Sequence, residues 1–205
     1  MRTEEYSLRH AWDKRLGLPV GSVEQAVHYS DIWTQAQLGQ ISPIAYWKGV
    51  AELLKISMED VDELRRDYFS KDKLDETLVT LIRQLRNQGY TIALLSNESI
   101  TLEARLIELH IHTLFDSIFI SFQHGIMKPS KAAYQHVLQE LDILPREAIF
   151  IDDSPINVQA AQREGIHAIL FHQTLDLERE IMQYITVADN ERKPDPTQVT
   201  KGPPS

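Results

Sequence analysis

Apolar positions from residue 5 to about 74 recur at helical spacing. Leu8, Trp12 and Leu16 fall on one face, and Ile44, Trp47, Val50, Ala51 and Leu54 on another. Ser42-Pro43 and Ser57 supply helix starts. The pattern predicts a helical subdomain over 5–74, with Trp12, Trp33, Tyr46 and Trp47 as core rather than ligand contacts. A helix over 75–89 follows, with Leu78, Leu81, Ile82 and Leu85 inward and Gly89 as its stop. Short apolar runs then alternate with helical patterns. Strands are expected near 91–95, 117–121, 148–151 and 167–171, and helices near 100–110, 130–141, 155–163 and 174–184. That alternation predicts an α/β core over 75–186, a parallel sheet with helices on its faces. Residues 187–205 are rich in Pro, Lys, Thr and Gly without apolar periodicity, and are expected to be a disordered tail. There is no internal repeat.

Composition narrows the function classes. The 205 residues are 42% hydrophobic and 25% charged, which suits one sound core with a small accessory subdomain. A net charge of −9 argues against nucleic-acid and anionic-membrane partners. It leaves phosphate ligands open, because a metal and one lysine reverse the field locally. The chain has no cysteine, which excludes disulfides, thiolate metal sites and a cysteine nucleophile. No apolar run approaches a membrane span, and the charged start Arg2, Glu4, Glu5, Arg9 leaves no room for a signal peptide. A cytoplasmic globular protein is expected.

The chemistry concentrates in three places. In Ala148-Ile149-Phe150-Ile151-Asp152-Asp153-Ser154-Pro155-Ile156-Asn157 an apolar strand runs into two carboxylates, and a helix opens behind them. Ligands of open α/β sheets bind at such strand ends. Asp152 and Asp153 repel each other there, and Mg²⁺ would compensate them while a substrate phosphate completes its shell. The competing reading is that Asp153 or Ser154 only caps the helix. The apolar strand Thr91 to Leu95 ends in Ser96 and Asn97, which could hold phosphate oxygens or simply make a turn. Lys128 lies between Gly125 and Pro129, where a fixed backbone could aim a cation inward; a solvated surface lysine is the alternative.

In this order the three segments resemble the haloacid dehalogenase (HAD)-like hydrolase superfamily, in its phosphatase branch with a small helical cap. That branch includes sugar-phosphate phosphatases and the phosphatase domain of soluble epoxide hydrolases. The resemblance covers roughly Ser7 to Glu180 and includes Tyr134, the run Asn157 to Ala161, and Gly165. It implies a Rossmann-like parallel sheet, with Ser96 and Asn97 holding the phosphoryl group and Lys128 neutralising it. It further implies Asp152 and Asp153 as Mg²⁺ ligands, Asn157 as an orienting group, and a small phosphorylated metabolite as substrate.

One motif of the family has no match. Its nucleophile is the first acid of Asp-x-Asp or Asp-x-Gly-Gly behind an apolar strand, and no apolar strand in this chain runs into either. Asp13 lies in a helical pattern, and Asp31 precedes another. The resemblance puts the missing strand at the sheet centre, between the strands ending at Leu95 and Ile151. A shortened family member, inactive without its nucleophile, is therefore expected, through a mis-set start or a fragment rather than an evolved pseudoenzyme. The alternatives are a non-catalytic binding or regulatory protein and a hydrolytic dehalogenase, which the acid pair argues against. Among the histidines only His124, ahead of Lys128, is a candidate for the site.

Overall fold

The computed structural model describes residues 2, 3 and 5–192, with side chains from residue 5 to residue 185. The chain divides into two compact units, 1–127 and 128–205.

The first unit opens with a two-residue strand, β1 (Arg2–Thr3), and five helices: α1 (Ser7–Arg15), α2 (Ser22–His28), α3 (Asp31–Gln37), α4 (Pro43–Leu54) and α5 (Met58–Phe69). Their starts are written locally. The Ser42 side chain accepts from Ala45 N at 3.2 Å with Pro43 in the first turn, and Ser57 with Asp60 forms a reciprocal capping box. The helices close on their own core, built on Trp12, Val27, Tyr46, Trp47, Val50 and Leu64, with Trp33 packed against it. The apolar stripe of α4 starts at Tyr46 rather than at Ile44, which is 68% exposed. Ile44 sits in the first turn at the edge of the stripe, so its spacing to Trp47 misled. Gly49 lets α4 approach α3 closely: a Cβ there would lie 2.5 Å from the end of the Ile32 side chain, which would have to shift.

The strand β2 (Asp72–Lys73) pairs antiparallel with β1, in a stretch the sequence pattern assigns to helix. Two paired residues leave no periodicity to read. Then come α6 (Glu76–Asn87), β3 (Ala93–Ser96), α7 (Thr101–Glu108), β4 (Ser117–Ile120) and the single turn α8 (Ser121–His124). β3 and β4 are parallel, with Ala93 opposite Ser117 and Ser96 opposite Ile120. A second core cluster of Val79, Leu102, Leu106, Ile111, Leu114 and Ile120 lies beneath them.

The second unit holds α9 (Lys131–Glu140), β5 (Ile149–Asp152), α10 (Pro155–Arg163), β6 (His167–Leu170) and α11 (Leu177–Arg192). β5 and β6 are parallel, with Ile149 opposite His167 and Asp152 opposite Leu170. Gly165 ends the turn after α10 at φ 82°. α11 runs to Arg192, past the residue 187 at which a tail is expected; residues 193–205 lie outside the described residues.

The expected α/β alternation is therefore present, as short parallel pairs rather than one continuous sheet among the described residues. Parallel strands are normally covered on both faces. Here β3 is only half-buried along its length, and Ile151 in β5 is 37% exposed. No helix among the described residues is long and apolar enough to cross a membrane.

Candidate active site

The second unit gathers the acid pair, the lysine and the asparagine at the carboxyl end of β5. Lys128 Nζ lies 2.7 Å from Asp152 Oδ2, and the two side chains are 10% and 7% exposed. The other oxygen, Oδ1, accepts from Ser154 N at 2.9 Å and from Asn157 Nδ2 at 3.0 Å. The ammonium also stands 5.5 Å from the centre of the Phe150 ring. A buried ion pair needs further hydrogen bonds to offset the desolvation of both charges, and Asp152 has them.

Asn157 is held in turn. It sits in the first turn of α10, two residues after Pro155, and its backbone carbonyl accepts the Tyr134 hydroxyl of α9 at 2.8 Å. Burial, with the Asp152 charge as a lesser cause, pushes the Tyr134 phenol up to about 12. It therefore remains a donor.

Asp153 has a different fate from its neighbour. It is exposed just past the strand, with no hydrogen bond or ion pair to any described residue. Nor does it cap α10, whose N-terminal Ser154 likewise makes no side-chain cap bond. The donor chemistry fits a magnesium ion. Asp153 offers a carboxylate, and Asp152 retains lone-pair capacity, since an ionised carboxylate has about four acceptor sites. Mg²⁺ takes one or two protein carboxylates and fills the rest of its shell with water and phosphate oxygens. Among the described residues no group of three or more His, Asp or Glu forms a fuller metal cage.

The first unit places Ser96 and Asn97 at the carboxyl end of β3. The Asn97 carbonyl accepts from Gln37 Nε2 of α3 at 2.7 Å, and Gln37 is 8% exposed. Glu98 N donates to Ser121 Oγ at 3.0 Å, which ties the loop to the end of β4. Ser96 lies in the wall of a cavity of about 410 Å³. His124 is exposed at the end of α8, beside the Phe119 ring. Asp13 is buried and spent as a cap: its oxygens accept from Gly21 N at 2.7 Å and Val23 N at 2.8 Å. Asp31 merely opens α3.

Sequence reasoning missed the polar side of the cavity. Arg9, 4% exposed, donates to the Tyr68 carbonyl and pairs with Glu24 and Asp72; Arg105 pairs with the other Asp72 oxygen. His28 Nδ1 lies 3.0 Å from the Tyr68 hydroxyl, and burial, with the Arg9 charge second, holds the imidazole down at about 4. Burial raises the Glu98 carboxyl. The one available signal was Arg9 on the same helical face as Trp12 and Asp13, an arginine on an inward stripe.

The molecule is thus an α/β protein with a helical subdomain and with acids and hydroxyls at its strand ends. The haloacid dehalogenase-like hydrolase family profile matches residues 8–165, well over half the chain. The chain belongs to that family. It is 29% identical to the sesquiterpene phosphatase astK of Aspergillus oryzae over 76% of this chain and 80% of that one. It is 27% identical to a phosphoglycolate phosphatase of Aliivibrio fischeri over 75% of this chain and 70% of that one. Other curated relatives are longer, and the chain spans 33% of one and 18% of another. In fold it is similar to a HAD family enzyme of Bacteroides thetaiotaomicron solved with magnesium and inorganic phosphate. The TM-score is 0.70 at 20% identity, over 87% of this chain and 92% of that one. The relatives support the phosphatase branch of the family.

Proposed function

We propose that these residues form the metal- and phosphate-handling part of a Mg²⁺-dependent phosphatase of small phosphorylated metabolites. The observation that carries the reading is the split between the two acids. Asp152 is locked by Lys128, Ser154 and Asn157, while Asp153 is left open to solvent. In this reading Asp153, with the remaining capacity of Asp152, holds the ion. Bound Mg²⁺ supplies charge neutralisation for the phosphoryl oxygens. Lys128 carries positive charge towards the same oxygens, and Asp152 keeps its stem from swinging out. Asn157 fixes the rotamer of Asp152. In the first unit, taken by itself, Ser96 Oγ and the Asn97 amide are the groups that the family resemblance assigns to phosphoryl binding, as hydrogen-bond donors.

The nucleophilic carboxylate of the family reaction is not among these groups. A protein of these 205 residues is therefore expected to bind Mg²⁺ and phosphate without turning over p-nitrophenyl phosphate. Calorimetric titration with Mg²⁺ tests the binding directly. Asp153→Asn should weaken the ion at least tenfold, and Lys128→Ala should weaken phosphate with less effect on the ion. Unchanged Mg²⁺ affinity in Asp153→Asn would overturn the metal assignment. Robust Mg²⁺-dependent turnover would mean that another carboxylate serves as nucleophile.

A further inference from the structure

The cavity at Ser96 takes alternate residues from β3 and the loop that leaves it. Leu94, Ser96 and Glu98 all line it, as expected of an extended segment that turns every second side chain to one side. The backbone of Glu98 is fixed there. Its N–H donates to Ser121 Oγ at 3.0 Å, and its carbonyl accepts from the same hydroxyl at 3.3 Å and from Phe122 N at 3.4 Å. Ser121 is 2% exposed, so this tether is sheltered from water. A carboxyl is thus held in the cavity lining, two residues beyond the serine assigned to the phosphoryl group.

The other charges of the lining are matched. Three carboxyls, Glu24, Asp72 and Glu98, stand against two guanidiniums, Arg9 and Arg105. Arg9 pairs with Glu24 and Asp72, and Arg105 pairs with Asp72. His28, held down at about 4, adds no charge at neutral pH. Glu98 is the carboxyl left over. It has no ion pair among the described residues, and its hydrogen bonds come from its neighbour Ser99, whose N–H donates to Oε1 at 2.7 Å. Burial raises this carboxyl, and the Ser99 hydrogen bonds and the Arg105 charge oppose that only in part. A cation placed beside it would restore the ionised form.

We propose that Glu98 is a specificity-determining residue, accepting an ammonium group carried by the alcohol part of a phosphate monoester whose phosphoryl group sits at Ser96. The inference rests on the phosphatase reading and narrows its substrate class to phosphate esters of amino alcohols. An ammonium supplies hydrogen-bond donors and the one positive charge that the lining lacks. Its bond to a carboxylate is charge-assisted, roughly twice as strong as a neutral one. A hydroxyl in the same place supplies a donor but leaves the carboxylate charge uncompensated, and a methyl group supplies neither. Alternate residues of an extended segment stand about 7 Å apart, so a short carbon chain would separate the ester oxygen from the nitrogen. The cavity volume of about 410 Å³ is within the usual range of small-molecule sites.

The test is calorimetric titration of the 205-residue chain with Mg²⁺ present. The probes are inorganic phosphate and a set of esters of nearly equal size: propyl, hydroxyethyl and aminoethyl phosphate, which end in methyl, hydroxyl and ammonium. The aminoethyl ester should bind at least about tenfold more tightly than the propyl ester, with the hydroxyethyl ester between them. Glu98→Gln keeps the size of the side chain and an acceptor for Ser99 N while removing the charge. In that variant the ratio of aminoethyl to propyl affinity should fall towards about one. A ratio that survives Glu98→Gln would overturn the assignment to Glu98. If the variant does not fold, the wild-type series decides alone. Equal affinities for the esters, with inorganic phosphate still bound, would overturn the inference and leave the phosphatase reading standing. A hydroxyethyl ester bound as tightly as the aminoethyl ester would overturn it too, since charge would then play no part. If neither inorganic phosphate nor any ester binds, the phosphatase reading falls and this inference with it.

Discussion

Within the helical region Val23, Val27, Val50 and Leu64 are shut off from solvent, whereas β3 stays half-buried throughout and Ile151 of β5 is 37% exposed. Both regions were read from equally apolar stretches. A helix satisfies its own backbone and needs only a neighbour for its stripe. A strand needs hydrogen-bonded neighbours and cover on two faces. β3 is paired with β4, and β5 with β6. Burial is therefore complete in the helical core and partial along β3 and β5, while Phe119 and Ile120 of β4 and Ala168 and Ile169 of β6 are buried.

The strongest way to sharpen that contrast is at the buried ion pair between Lys128 and Asp152. Asp152→Ala leaves Lys128 without its carboxylate and should cost about 3–5 kcal/mol in urea unfolding. Asp153→Ala should stay within about 0.5 kcal/mol. Equal costs would mean that the two acids do not divide their work as described. Next comes a pair of matched truncations. Leu64→Ala in the helical core should cost about 2–5 kcal/mol, and Ile151→Ala under about 1 kcal/mol. A large loss at Ile151 would show that β5 is covered in solution, and the contrast would fail.

The cap of α5 tests how local the helical region is. Ser57→Ala removes the capping box and should cost about 0.5–2 kcal/mol, read from thermal melts. A further effect should be one of pH. The folded His28 titrates near 4, below its ordinary 6.5, so protons favour the unfolded chain across that interval. Stability from this group is complete above about pH 6.5 and is lost as the pH falls towards 4. The raised Glu98 carboxyl acts with the opposite sign, since protonation relieves its burial. His28→Gln should therefore flatten the acid limb of a stability profile taken between pH 7 and 4. An unchanged limb would show that His28 is hydrated in the folded protein.

Much of this was legible in the residues. The bounds of α10 follow from Pro155 and the Gly165 stop, and β5 from four apolar residues meeting two acids. Ser57 announces α5. The segment 72–73 was not legible, because a two-residue pair carries no pattern. The division between Asp152 and Asp153 was not legible either, because it depends on a lysine 24 residues away. The cavity joins residues from Tyr6 to Phe115, and its polar network is closed by Asp72, which no local rule distinguishes from a surface aspartate.

The two neighbouring acids carry one more implication, for insertions and deletions rather than substitutions. They look redundant in a sequence, and a point exchange between them changes nothing in composition. Yet the end of β5 turns one inward and the next outward. Adding or removing a single residue within Ile149–Asp152 would reverse the facing of everything after it in the strand. Lys128 would then meet the wrong carboxylate or none. This short strand should tolerate conservative replacement at Ile149 or Ile151 while rejecting any change of length, and libraries of single-residue indels should show a gap there.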